Sequence, residues 1–274
     1  IMDEASFKKL LRQSDTLIKY KSQYIYVSGE DLEKLHKHFG SNVAVNHLDL
    51  EIEPGTFFCF LRPNGAGKTT TIKMLTGLLH PSSGTARLGG YDIISHPVEA
   101  KKLLGYVPDH PFLYDKLTGH EFMRFVAGLY QMAEEEYRER CDRLLELFEV
   151  AHVADQLIED YSHGMRQKRS FASCFLHRPS IMIVDEPWVG LDPKNIRFVK
   201  NYLKQQCREE GLTVFMSTHT LAIAEEVADL IGIINKGTLT ALGTVSDIKA
   251  LHNRPGSLED VFLEITGAHT EPVS

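Results

Sequence analysis

The sequence predicts an α/β fold built on a mostly parallel sheet, and two observations carry that prediction. From about Tyr24 onward, short β-branched or aromatic runs alternate with helical stretches. The central runs FFCFL, IMIVD and TVFMS are almost continuously apolar, as strands covered on both faces must be. A chain of 274 residues suffices for one such domain with a subdomain. Its 43% hydrophobic and 24% charged residues are an ordinary globular balance.

Strands are expected at residues 57–61, 181–185, 213–217 and 231–235. Between residues 117 and 161 the alternation gives way to helical periodicity, which predicts a helical subdomain at about residues 110–170, inserted into the sheet domain. Its first helix should start at Thr118, because Thr118 and Glu121 have the spacing of a capping box ahead of FMRFVAGLY. A second helix is expected over residues 133–150, rich in Glu, Arg and Leu.

The organisation that follows is an N-terminal extension, 1–23, and one domain, 24–274. The extension sets Lys8, Lys9, Arg12, Lys19 and Lys21 beside Phe7, Leu10 and Leu11 at helical spacing. It reads as a solvated helix or tail, with a membrane-touching face as the alternative.

Composition narrows the partners. A net charge of −7 with a pI near 6.0 lacks the basic footprint of a nucleic-acid binder, so no nucleic acid is expected. Cys59, Cys141, Cys174 and Cys207 are far apart and form no CxxC pair, which fits a reducing compartment. No apolar run approaches the roughly 20 residues of a membrane-spanning helix, and no signal-peptide pattern opens the sequence. Residue 1 is Ile, ahead of Met2, and carries no functional weight.

After FFCFL comes RPNGAGKTTTIKMLTGLL. Gly65, Gly67, Lys68 and Thr69 match the core of a phosphate-binding P-loop in its diagnostic context of strand, loop and helix. Arg62, Pro63, Asn64, Gly65, Ala66, Gly67, Lys68, Thr69 and Thr70 are then the residues expected around the phosphates, with a helix following immediately. Backbone N–H groups there converge on an anion, Lys68 adds charge near the terminal phosphates, and Thr69 offers a hydroxyl to magnesium. The pattern normally opens with glycine; Arg62 is read as a residue of ordinary φ with its side chain at the rim. Downstream, IMIVDEP is an apolar strand ending in two carboxylates. Asp185 is placed to hold magnesium, and Glu186 to orient and deprotonate an attacking water.

Four further segments complete a set. YSHGMRQ spans 161–167, GLDP 190–193 and STH 217–219, and Phe39 stands in KHFG upstream of the P-loop. With the P-loop and IMIVDEP they resemble the ATP-binding cassette ATPases over about residues 24–267. The resemblance implies a P-loop NTPase core of RecA-like type, with a mostly parallel sheet, an antiparallel β part and an inserted helical subdomain, and it implies ATP and Mg2+ as ligands. YSHGMRQ is similar to the family's signature motif, with Ser162 and Gly164 retained; GLDP is similar to its D-loop. His219 corresponds to the switch histidine, expected near Glu186 and in contact with the γ-phosphate or the attacking water. Phe39 corresponds to the aromatic that stacks on adenine. Asp109 occupies the place usually held by glutamine after a YVP-type strand and keeps an oxygen for magnesium.

Ser162 and Gly164 open a helix, and so form a second anion-binding N-terminus. One phosphate site does not need two such cradles. The resemblance implies that two subunits pair head to tail, most simply as a homodimer, the Ser162 cradle of one closing over ATP on Lys68 of the other. His163, Met165 and Trp188 depart from the family pattern. YVPD, YSHGM and SLEDVFLEITG together resemble cassette subunits of exporters with a separate membrane permease, peripheral at the cytoplasmic face. The implied activity is ATP hydrolysis coupled to transport. The alternatives are a regulatory subunit that binds nucleotide with little turnover, and a soluble cassette ATPase without a transporter.

Overall fold

The computed structural model describes residues 25–27 and 68 (backbone only), 34–61, 69–188, 190–251 and 257–267. The basic extension 1–23 and the loop residues 62–67 lie outside the described residues.

The chain runs from β1 (Ile25–Val27) through the hairpin β2 (Leu35–Phe39) and β3 (Asn42–Leu48) to β4 (Leu50–Ile52) and β5 (Phe57–Leu61). Helix α1 (Lys68–Leu75) follows, then β6 (Arg87–Leu88), β7 (Tyr91–Asp92), α2 (Pro97–Lys102) and β8 (Leu104–Val107). The helical unit contains α3 (Gly119–Leu129), α4 (Glu134–Leu147) and α5 (His163–Phe175). The rest comprises β9 (Ile181–Asp185), α6 (Pro193–Glu210), β10 (Thr213–Thr218), α7 (Leu221–Val227), β11 (Leu230–Asn235), β12 (Thr238–Gly243), α8 (Val245–Ala250) and α9 (Leu258–Thr266).

The large sheet has the order β12-β11-β5-β10-β9-β8, with β12 antiparallel and the other neighbouring pairs parallel. A smaller antiparallel sheet has the order β4-β1-β6-β7. The period of two along a strand sends alternate residues of β5 to opposite faces. Phe57, Cys59 and Leu61 enter a core shared with the helical unit, α6, α7, α8 and α9. Phe58 and Phe60 enter a second core with the antiparallel strands and α1. There the rings of Phe58, Phe60 and Phe215 meet at 5.1–6.1 Å. Gly232 of the neighbouring strand faces Phe58, where a Cβ would come within 2.7 Å of Cζ. Both faces of the sheet are therefore covered, which is why its strands are apolar throughout.

Helix α3 starts as the sequence predicts. Glu121 N donates to Thr118 Oγ1 at 3.2 Å, and Thr118 N donates to Glu121 Oε2 at 2.8 Å. The second helix, expected to reach residue 150, ends at Leu147. Glu149 takes a left-handed φ of 56° and turns the chain, which helical periodicity does not foretell. Arg140 of α4 lies buried and donates to the carbonyls of Phe175 and Leu176, both at 2.7 Å, supplying partners for carbonyls at the end of α5.

Candidate functional site

Strands β5 and β9 flank β10, and their registers bring three chain ends to one edge. Leu61 pairs with Thr218 and Asp185 with Ser217. The end of β5, the carboxylates at the end of β9 and His219 after β10 thus come within a residue of one another in register, at the carboxyl edge where open α/β sheets bind ligands.

Glu186 sits there at φ 44°, a left-handed conformation that costs a non-glycine residue roughly 1–2 kcal/mol. Its N–H donates to Ser217 O at 3.0 Å. The residue is only 7% exposed. His219 Nδ1 lies 2.9 Å from Oε1, while Thr218 Oγ1 and His219 N donate to Oε2 at 3.3 and 3.4 Å. A carboxylate only accepts, so Nδ1 donates. The expectation that His219 would lie beside Glu186 matches this contact.

Asp185 is 4% exposed. Asp185 and Asp109 both act on Tyr106 of β8: burial first, then the charges of these two acids, hold its hydroxyl well above the ordinary phenol range. Asp109 is itself half-buried and turned to its neighbour, its Oδ1 accepting from His110 N at 2.8 Å and its Oδ2 lying 3.2 Å from His110 Nδ1. Ser217 Oγ is buried beside Asp185, with no hydrogen-bond partner among the described residues. The groups gathered here are oxygens, the donor chemistry that suits Mg2+.

Lys68 opens α1, followed by exposed Thr69 and half-buried Thr70, with no acidic residue in the first turn to repel an anion. Phe39 lies on the β2–β3 hairpin, its ring half-exposed, with Lys37 Nζ 5.2 Å from the ring centre.

The second cradle expected from the sequence falls at the start of α5. Ser162 is the N-cap, its Oγ accepting from Met165 N at 3.3 Å, and the first turn again carries no acid. Here the structure adds contacts that sequence reasoning missed. Gly190 has a φ of 77°, and a Cβ on it would fall 1.8 Å from His163 Cδ2. A Cβ on Gly164 would lie 3.1 Å from Gly190 O. Buried Gln167 donates from Nε2 to Pro187 O at 3.3 Å. The start of α5 is therefore seated on the segment that follows Glu186. Thr218 was also missed, although it stands inside the STH segment. Trp188, noted as a departure, is a core residue.

Residues 45–189 match the family described as ABC transporter. The linearmycin resistance ATP-binding protein LnrL of Bacillus subtilis is 35% identical over 216 residues, covering 79% of this chain and 69% of that protein. The bacitracin transport ATP-binding protein BcrA of Bacillus licheniformis is 34% identical over 205 residues, covering 75% and 66%. A solved ATP-binding subunit of an ABC transporter superposes with a TM-score of 0.81 at 30% identity, over 89% of this chain and 99% of that one. With the P-loop sequence, the paired Glu186 and His219 and the α5 cradle in one fold, the chain belongs to the ABC transporter family, among its ATP-binding proteins.

Proposed function

We propose that the chain hydrolyses ATP to ADP and phosphate as one half of a dimer, whose opening and closing drives a separately encoded membrane permease. Glu186 carries this reading: a nearly buried carboxylate, pinned at the carboxyl edge and oriented by His219 and Thr218. So held, it can orient a water and take its proton while His219 contacts the water or the terminal phosphate. Lys68 supplies charge to the transferred phosphoryl group. Residues 62–67 with Lys68, Thr69 and Thr70 cradle the phosphates, Phe39 stacks on adenine, and Thr69, Asp185 and Asp109 hold Mg2+. When bound, the ion neutralises charge on the phosphate oxygens. Asp109 must release His110 to do so.

The exposed start of α5 supports the dimer, in which Ser162 and Gly164 close over the partner's nucleotide. An aromatic group on the helical unit supports the permease contact: Phe112 is 86% exposed, and Tyr114 and Phe125, also exposed, meet edge to face at 5.2 Å. Among the described residues no helix is long and apolar enough to cross a membrane, which fits a peripheral subunit at the cytoplasmic face. Relatives named for antibiotic resistance and transport support export as the work performed.

Glu186→Gln tests the reading. The variant should bind ATP like the parent and turn over at least about 10²-fold more slowly. Parental turnover would assign water activation to another group.

A further inference from the structure

We infer that the helical unit carries a binding site for a transition-metal dication of the zinc type, formed by His120, Cys141 and Asp142. His120 lies in the first turn of α3, and Cys141 and Asp142 are consecutive on α4. One imidazole nitrogen, the Cys141 sulfur and one Asp142 oxygen all lie within 4.8 Å of one another. All three residues border a cavity of about 260 Å³, and among the described residues no other group of three His, Cys, Asp or Glu side chains comes together in this way.

Imidazole, thiolate and carboxylate are zinc's ordinary ligands, and together they bring two negative charges to a dication. Zinc-bound atoms, each roughly 2.0–2.3 Å from the metal, must sit closer together than these donors do. The adjustment falls on half-buried His120 and exposed Asp142. Cys141 stays fixed in the core. As its sulfur–metal bond forms, the thiol proton leaves to solvent.

A second, independent observation favours the metal. His120 Nδ1 is 2.9 Å from Asp155 Oδ1. Donation to that carboxylate makes Nε2 the nitrogen that would bind the ion, and the metal would hold His120 as in the carboxylate–histidine pairs that support metal ligands. The cations bordering the cavity are already engaged: Arg124 donates twice to Glu134, at 2.8 and 2.9 Å, and Arg138 once, at 2.8 Å. Tyr137 braces the same corner, its hydroxyl donating to His120 O at 3.3 Å. A bound ion therefore ties the start of α3 to the middle of α4.

Titration of the full chain with Co2+ alone, followed by absorption, tests the site. One equivalent should bind with a near-ultraviolet sulfur-to-cobalt band that is lost in Cys141→Ser. Because that buried position can affect folding, His120→Gln and Asp142→Asn serve as independent arms, and Asp155→Asn removes only the supporting carboxylate. The first two should weaken binding at least as much as the third, for which about tenfold or more is expected. Zn2+ should raise the melting temperature of the parent and not that of His120→Gln. Absence of the band in the parent overturns the site, as does a band of unchanged affinity in His120→Gln and Asp142→Asn, which would place the metal at another cysteine.

Discussion

In the proposed reading the carboxyl edge of the large sheet and the start of α5 both serve bound nucleotide, yet they are finished differently. At the edge, Glu186 is nearly buried and engaged by His219, Thr218 and Ser217 of its own chain. At α5, Ser162 and His163 are exposed. One region is completed internally; the other faces outward, and in the proposed dimer a second chain completes it. Among the contacts that join them are Gly190 against His163 and Gly164, and Gln167 on Pro187.

The largest effect should come from that joint. Gly190→Ala forces a left-handed φ on alanine and drives its Cβ into His163, for a combined cost of about 2–5 kcal/mol. His163→Ala in the same chain should recover the collision and leave the backbone strain. Denaturant unfolding of the two variants measures both parts, and a Gly190→Ala chain as stable as the parent would show that the two regions are not joined there.

Next comes the anchorage of the helical unit to the sheet, at His177 just beyond α5. Its ring stacks on Tyr130 at 3.6 Å, and its Nε2 donates to Leu104 O at 3.1 Å. Burial, reinforced by the charge of Arg140, lowers its pKa from 6.5 to about 4. The unfolded chain therefore takes up a proton below pH 6.5 that the folded chain refuses until about pH 4. The stabilisation is complete above pH 6.5 and is lost as pH falls toward 4, by up to about 3 kcal/mol. His177→Phe should flatten that slope in urea unfolding across the same window; an unchanged slope would assign it to other groups.

The smallest effect belongs to the hairpin. Phe39→Ala should weaken ATP binding by about 1 kcal/mol with turnover at saturation preserved. An unchanged ATP Kd would remove Phe39 from the site.

Much of this arrangement was legible in the sequence, for physical reasons. The runs FFCFL, IMIVD and TVFMS announce themselves because both faces of the sheet are covered, and Thr118 with Glu121 marks a helix start through local hydrogen bonds alone. The chain order of Asp185, Glu186 and His219 was enough to bring them together once their strands were taken as neighbours. Contacts that depend on turn conformation were not legible. Gly190 touches His163 across 27 positions of sequence only because of its positive φ. Nothing in the helical period of residues 133–150 shows that Glu149 turns left-handed. Strands of two or three residues, such as β4, β6 and β7, are too short for any period to register.

The central claim is that the open region serves nucleotide held by another chain, and isolated mixed dimers test it most directly. Pairing a Lys68→Ala chain with a Gly164→Asp chain places both lesions in one composite site and leaves the other site with Lys68 and Gly164 intact, whereas each homodimer has two damaged sites. Nucleotide occupancy measured on the isolated mixed dimer should show one ATP per dimer protected from exchange, with part of the ATPase activity recovered where a single site can fire. Occupancy unaffected by mixing, with the Gly164→Asp chain binding ATP normally on its own, would contradict the shared site and the mechanical link to a permease that depends on it.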